Sequence, residues 1–238
     1  FIAAKPFTHL MTADYSQIEM RIMAHLSGDE GLLKAFHAGE DLHSTVASQV
    51  FAVKREEVTS EMRRQIKAMS YGLAYGLSSF GLAQQLDITP ADASALMGRY
   101  FERFGGIQDY LKEVVVIARK KGHTETILGR RRYLPDLNHE NRQRREIAER
   151  MALNAPIQGS AADIIKVAMR NLHHSMKREK MSSRLLLQVH DELIFEVASG
   201  EESELEALAR SEMGQAYPLK APLDVNVGFG RTWDEAAH

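Results

Sequence analysis

The sequence predicts an α+β fold in which a helical block interrupts a sheet. Three observations carry this. Apolar, strand-like segments stand near both ends, at residues 8–13, 184–189 and 192–197. Between them, apolar residues recur at helical spacing. Two acidic clusters, Asp14-Tyr15-Ser16-Gln17-Ile18-Glu19 and Gln188-Val189-His190-Asp191-Glu192-Leu193, each place an aspartate at the end of such a run.

The elements follow in order. Residues 8–13 read as a buried strand. Residues 17–26 form a helix with Ile18, Ile22, Met23 and Leu26 on one face and Gly28 as its stop. A short helix spans 43–51. Thr59 or Ser60 caps a helix carrying Arg63 to Tyr75, which Gly76 ends. Thr89 followed by Pro90 starts the next helix. It runs to Phe104, where Gly105-Gly106 breaks it, and another reaches residue 121. Residues 124–128 and 132–134 read as a hairpin around Gly129-Arg130. Residues 140–155 are helical, Pro156 interrupts them, and a long helix follows over 160–180. Residues 184–189 and 192–197 are a tight hairpin. An acidic helix covers 201–217, and 223–228 alternates as a half-exposed strand.

Composition sets outer limits. The 238 residues are 26% charged and 44% hydrophobic, with formal charge −2, an ordinary globular balance with room for one large domain or two small ones. The average hides a gradient: basic residues outnumber acids over 119–150, and the chain is acidic from Glu192 onward. A partner bearing phosphates would therefore meet the middle of the chain. Cysteine is absent, which excludes disulfides and thiolate zinc sites. No apolar run reaches the roughly 20 residues of a membrane span. The first residues lack the pattern of a signal peptide. The first residue is not Met, and the expectation is a fragment.

Each candidate group has an ordinary alternative. Asp14 ahead of a helix is normally a cap, and Asp191 a turn residue. Side by side in one sheet, however, their carboxylates would suit a hard divalent cation. Arg63, Lys67, Tyr71 and Tyr75 form a slanted row at four-residue spacing. The plain reading is a solvated basic turn followed by core tyrosines. Gly72 and Gly76 beside the rings argue instead that something flat approaches closely, because glycine weakens a helix. Arg150, Asn154 and Gln158 repeat the spacing, either as an exposed polar stripe or as a probe of minor-groove acceptors. Gly129-Arg130-Arg131-Arg132 is a basic loop that could hold a phosphate backbone. His43 near a helix start is ordinarily structural, and the methionines read as core filling.

Together these segments resemble the family A DNA polymerases. Residues 14–21, Asp-Tyr-Ser-Gln-Ile-Glu-Met-Arg, are similar to motif A; residues 63–76 are similar to motif B; Gln188 to Leu193 are similar to motif C. The resemblance extends over essentially the whole chain. It implies an antiparallel palm sheet backed by helices, with a mostly helical fingers domain inserted. The expected division is palm 1–28, fingers 29–144 with the motif B helix at about 60–76, and palm again 145–238. It also implies a larger enzyme with a thumb and further domains upstream. The implied activity is nucleotidyl transfer from a dNTP to a primer 3′-hydroxyl, in replication-associated gap filling and repair.

Roles carry over by resemblance. Asp14, Asp191 and the main-chain carbonyl of Tyr15 would hold two Mg²⁺ ions, with Mn²⁺ as a substitute. Glu192 would support that site. Arg63, Lys67 and His43 would bind the triphosphate, with Lys67 as acid for the leaving pyrophosphate. Gln17 and Tyr15 would border the nucleotide, Tyr71 would stack on it, and Glu19 would pack where a 2′-hydroxyl would go. Tyr75 would guard the templating position. Arg150, Asn154 and Gln158 would probe the new pair, His190 would approach the primer end, and Arg132 would touch the backbone. The implied partners are primer–template DNA and dNTPs, with no membrane, for a cytoplasmic monomer. Two alternatives stand beside this: an inactive DNA-binding fragment, and a single-subunit RNA polymerase, against which Glu19 argues.

Overall fold

Strand β1 (His9–Tyr15) lies at the centre of the main sheet, which explains its unbroken apolar run. Leu10, Met11, Thr12 and Ala13 are all buried, so both faces of the strand are covered. Thr12 meets the cost of burying a hydroxyl by donating to the Ala236 carbonyl at 2.6 Å. The structure is a computed structural model, and it describes residues 1–39 and 41–237.

After β1 come α1 (Ile18–Ser27), α2 (Glu30–His37), α3 (Leu42–Phe51), α4 (Ser60–Ala74), α5 (Ser79–Leu86), α6 (Pro90–Arg103) and α7 (Gly105–Lys121). A two-stranded hairpin, β2 (His123–Glu125) with β3 (Arg131–Tyr133), leads to the long helix α8 (Arg142–Arg178). Then follow β4 (Arg184–Val189), β5 (Glu192–Val197), α9 (Glu202–Gly214), β6 (Val225–Gly230) and α10 (Trp233–Ala236). The predicted α+β class is thus observed. The chain divides into two compact units, Phe1–Ile18 with Ala161–His238, and Glu19–Ser160. Those divisions fall inside α1 and α8, whereas the sequence reading put them at 28/29 and 144/145.

In the first unit the strand order is β4-β5-β1-β6, all antiparallel. Leu193, Ile194, Phe195 and Val197 of β5 are buried. Helix α9 adds Leu205, Ala209 and Met213 to this core. Helix α10 lies so close to β6 that a Cβ on Gly230 would stand 2.5 Å from the Ala236 nitrogen, which makes glycine obligatory there. Strand β4, equally apolar in sequence, is an edge strand with Leu186 and Leu187 about 40% exposed and a bulge between Leu185 and Leu187.

The second unit is built on helices. Its core joins Leu32 of α2, Val46 of α3, Ile66 and Met69 of α4, Leu82 of α5, and Leu96 and Tyr100 of α6. The hairpin region and α8 contribute a smaller cluster of Ala118, Leu134, Leu137, Ala148 and Ala152. Among the described residues no helix is long and apolar enough to cross a membrane.

Three readings of the sequence need correction. The break at Pro156 does not occur, because α8 runs through it. Pro156 and Ile157 are buried, and the loop after β2 grips the next turn. The Ser160 hydroxyl donates to the Pro156 carbonyl and accepts from the Ile127 N–H, while Arg130 Nη2 donates to the Gly159 carbonyl at 2.9 Å. Packing thus overrides a local helix breaker. The expected break between two helices is found, but at Phe104, and Gly105-Gly106 opens α7 instead of lying between the helices. Gly106 is small because Asp29 packs against it and accepts its N–H at 3.1 Å. Helices α2 and α5 were not foreseen, although their caps Asp29 and Ser78 are the usual start residues.

Candidate active site

The first group of predicted site residues lies at one end of the main sheet. Asp14, next to last in β1, stands in register with Glu192 on β5 and Asn226 on β6. Asn226 donates to its Oδ2 at 3.3 Å. The turn between β4 and β5 consists of His190 and Asp191 only, since Val189 already pairs with Glu192. His190 has φ +54, and the Gln188 amide donates to its carbonyl at 2.8 Å. The Tyr15 N–H reaches the Asp191 carbonyl at 3.4 Å. Asp14 and Asp191 therefore stand at neighbouring strand ends, as the sequence predicts.

Tyr15 offers this end its main chain only. Its ring is buried and its hydroxyl donates to the Met213 carbonyl at 2.9 Å. Burial pushes its phenol well above the usual range. Glu192 accepts from the Trp233 indole at 3.3 Å, a contact that holds it beside Asp14. Gln17, with φ +54, turns the chain from β1 into α1. The two carboxylates of Asp14 and Asp191, with the Tyr15 carbonyl, would supply an oxygen-only donor set. Among the described residues no three His, Asp or Glu side chains gather as a metal cage. Magnesium commonly uses one or two protein carboxylates and takes its other ligands from water and phosphates, so this donor set fits it.

The second group lies in the other unit, on α4. Thr59 caps the helix by accepting the Met62 N–H at 3.1 Å. Ile66, Met69 and Leu73 bury one face. That leaves Arg63 and Lys67 exposed, Tyr71 half-buried and Tyr75 exposed on the row expected from the spacing. The helix ends in a left-handed Gly76, with Leu77 N–H on the Gly72 carbonyl at 2.7 Å and Gly76 N–H on the Leu73 carbonyl at 3.0 Å. The two glycines also have packing reasons within the chain. A Cβ on Gly72 would strike Leu77 at 2.7 Å, and one on Gly76 would meet the Arg150 backbone at 3.1 Å.

Around α4 the predicted residues find partners. Arg63 Nε donates to Asp41 Oδ2 at 2.8 Å. Burial pushes the Asp41 carboxyl up, but the Arg63 guanidinium and the Ser44 hydroxyl outweigh it and hold it at about 2. His43 is buried, 5.9 Å from the Tyr71 ring centre to centre. Its Nδ1 has no hydrogen-bond partner among the described residues. Burial lowers its pKa to about 4; Asp41 opposes this, and Arg63 and Lys67 add to it. His43 is thus neutral at pH 7. Tyr75 donates to Glu19 Oε2 at 2.7 Å.

On α8, Arg150 is exposed and Asn154 donates to Gln158 Oε1 at 3.2 Å. That row survives because the helix does not break at Pro156. Arg132 stands apart on β3, exposed. Sequence reasoning missed Asp41, Asn226 and Trp233. Asp41 carried a signal, an aspartate opening the helix of His43. The other two did not, because their contacts come from distant strands.

The sequence profile of DNA polymerase family A matches residues 1–235. DNA polymerase I of Mycobacterium leprae is 66% identical over 98% of this chain and 26% of its own length. The Geobacillus stearothermophilus enzyme of the same name is 47% identical over 99% of the chain and 27% of its own. The chain thus spans about a quarter of the length of these relatives. A solved structure of the POL domain of Pol1 from M. smegmatis, in complex with DNA primer-template and dNTP, is 65% identical with a TM-score of 0.97. It is matched over all of this chain and 42% of that one. A match this extensive, on a sheet end with paired aspartates, leaves one conclusion: the chain belongs to DNA polymerase family A.

Proposed function

We propose that this chain carries the polymerase chemistry of a DNA polymerase I. The reaction transfers a nucleotidyl group from a dNTP to the 3′-hydroxyl of a primer on a DNA template and releases pyrophosphate. The observation that carries the reading is the placing of Asp14 and Asp191 at adjacent strand ends, with the Tyr15 N–H on the Asp191 carbonyl. Family membership and the relative solved with primer-template and dNTP support it.

In this reading Asp14, Asp191 and the Tyr15 carbonyl hold two magnesium ions, or manganese in their place. Such ions, when bound, make the primer hydroxyl a better nucleophile and neutralise charge on the departing pyrophosphate. Glu192, tethered by Trp233, orients the carboxylate end. Arg63 and Lys67 bind triphosphate oxygens, and Lys67 gives a proton to the leaving pyrophosphate. Neutral His43 donates one hydrogen bond to a phosphate oxygen. Tyr71 stacks on the incoming nucleotide, which Gln17 and the Tyr15 backbone border. The Tyr75–Glu19 hydrogen bond braces Glu19 where a 2′-hydroxyl would intrude, which favours deoxynucleotides. Tyr75 guards the templating position. Arg150, Asn154 and Gln158 accept or donate at the minor-groove edge of the new pair, His190 meets the primer end, and Arg132 the DNA backbone. The expected setting is cytoplasmic gap filling and repair by a monomer.

Primer extension tests this. Asp191→Asn should lower extension by at least about a hundredfold, the scale of a lost transition-state charge contact, while primer–template binding stays within about twofold. Near-normal extension by that variant would remove Asp191 from the chemistry.

A further inference from the structure

We propose that Asp41 is a placeholder for phosphate: it holds the Arg63 guanidinium when no nucleotide is bound and yields it to the triphosphate. This rests on the reading of Arg63 as a triphosphate-binding residue. Arg63 Nε donates to Asp41 Oδ2 at 2.8 Å, and its Nη2 lies 3.4 Å from Oδ1. A guanidinium fork that fits a carboxylate fits two phosphate oxygens equally well.

Asp41 does not depend on Arg63 for its position. Its Oδ1 accepts the His43 N–H at 3.3 Å, and its Oδ2 accepts the Ser44 hydroxyl at 2.6 Å. The carboxylate is therefore fixed by the start of α3, and the long arginine side chain is the partner that moves. The pair is wet, with side chains 34% and 50% exposed, so it is screened and weak enough for a polyanion to displace. The buried His43 ring follows Asp41 by two residues and senses the charges of Asp41, Arg63 and Lys67 together. Asp41 is thus a negative charge set among the cations meant for phosphate. It should oppose both dNTP and pyrophosphate, which weakens binding but speeds release of the product.

The direction of the effect separates this from a structural role. Asn caps a helix as well as Asp does, so Asp41→Asn removes the charge and keeps the start of α3. Equilibrium binding of Mg²⁺-dATP and of inorganic pyrophosphate to the 238-residue chain gives the test. Asp41→Asn should bind both about two- to fivefold more tightly, the range of an exposed ion pair, and the gain should shrink at high salt. In primer extension the KM for dNTP and kcat should fall together, as pyrophosphate leaves more slowly. Arg63→Ala is the control. If it weakens dATP binding while Asp41→Asn leaves affinity unchanged or weaker, the placeholder role is wrong and the triphosphate role of Arg63 stands. If Arg63→Ala leaves dATP binding unchanged, both fall.

Discussion

His43 shows how the burial of a single residue can make stability depend on pH. The ring is buried and its Nδ1 lacks a partner among the described residues. Burial, with Arg63 and Lys67, holds its pKa at about 4, below the ordinary 6.5, against the opposing pull of Asp41. An unfolded His43 takes up a proton near pH 6.5, but the folded one does not until about pH 4. Stability is therefore full above pH 6.5 and falls as pH drops through that window, by up to about 3 kcal/mol. Asp41 is shifted in the same direction but over a separate, more acidic window, since its contribution is lost as pH falls from the ordinary carboxylate range through about 2. Denaturant unfolding between pH 7.5 and 4.5 should show this slope, and His43→Gln should flatten it. An equal slope in both proteins would mean that His43 is hydrated or paired in solution.

At the scale of elements, α4 ends where its backbone turns left-handed. Gly76 has φ +69, and a Cβ there would meet the Arg150 backbone. Gly76→Ala combines positive-φ strain with a contact too close for a methyl group. It should cost about 1–3 kcal/mol, read as a lower Tm with the far-UV spectrum kept. A Tm within a degree of the parent would show that the turn relaxes freely. The caps were legible beforehand: Thr59, Thr89 with Pro90, and the left-handed Gly76 all stand where the chain signals them. The continuity of α8 was not. A proline reads locally as a break, whereas burial of Pro156 and the grip of Ile127 and Arg130 on the following turn come from residues about 30 positions away.

For the whole molecule, each unit has its own apolar core. The carboxylate end of the sheet lacks a closed cage of three acidic or histidine side chains among the described residues. The fold should therefore not depend on a divalent ion, while the proposed chemistry does. Chelation with EDTA should stop primer extension and leave circular dichroism and Tm nearly unchanged, and added Mg²⁺ should restore synthesis. Unfolding in EDTA would reveal a structural metal instead. This differs from small metal-dependent domains, in which binding energy is folding energy.

The sequence by itself determined the class, the order of the strands, most but not all of the helices, and the two strand ends that carry Asp14 and Asp191. Apolar runs, helical spacing and turn residues act over a few positions, and all of these features are local. It also ordered Arg63, Lys67, Tyr71 and Tyr75 along one helix, because a helix fixes that geometry wherever it forms. Only the tertiary structure decided what each group touches. Asn226 reached Asp14 across 212 positions of sequence, Trp233 reached Glu192, and Asp41 reached Arg63. The same holds for the glycines of α4, whose small size answers to Leu77 and Arg150. The division follows from range: propensity and periodicity are properties of neighbours in the chain, whereas partners and close approaches depend on packing between segments the chain brings together only on folding.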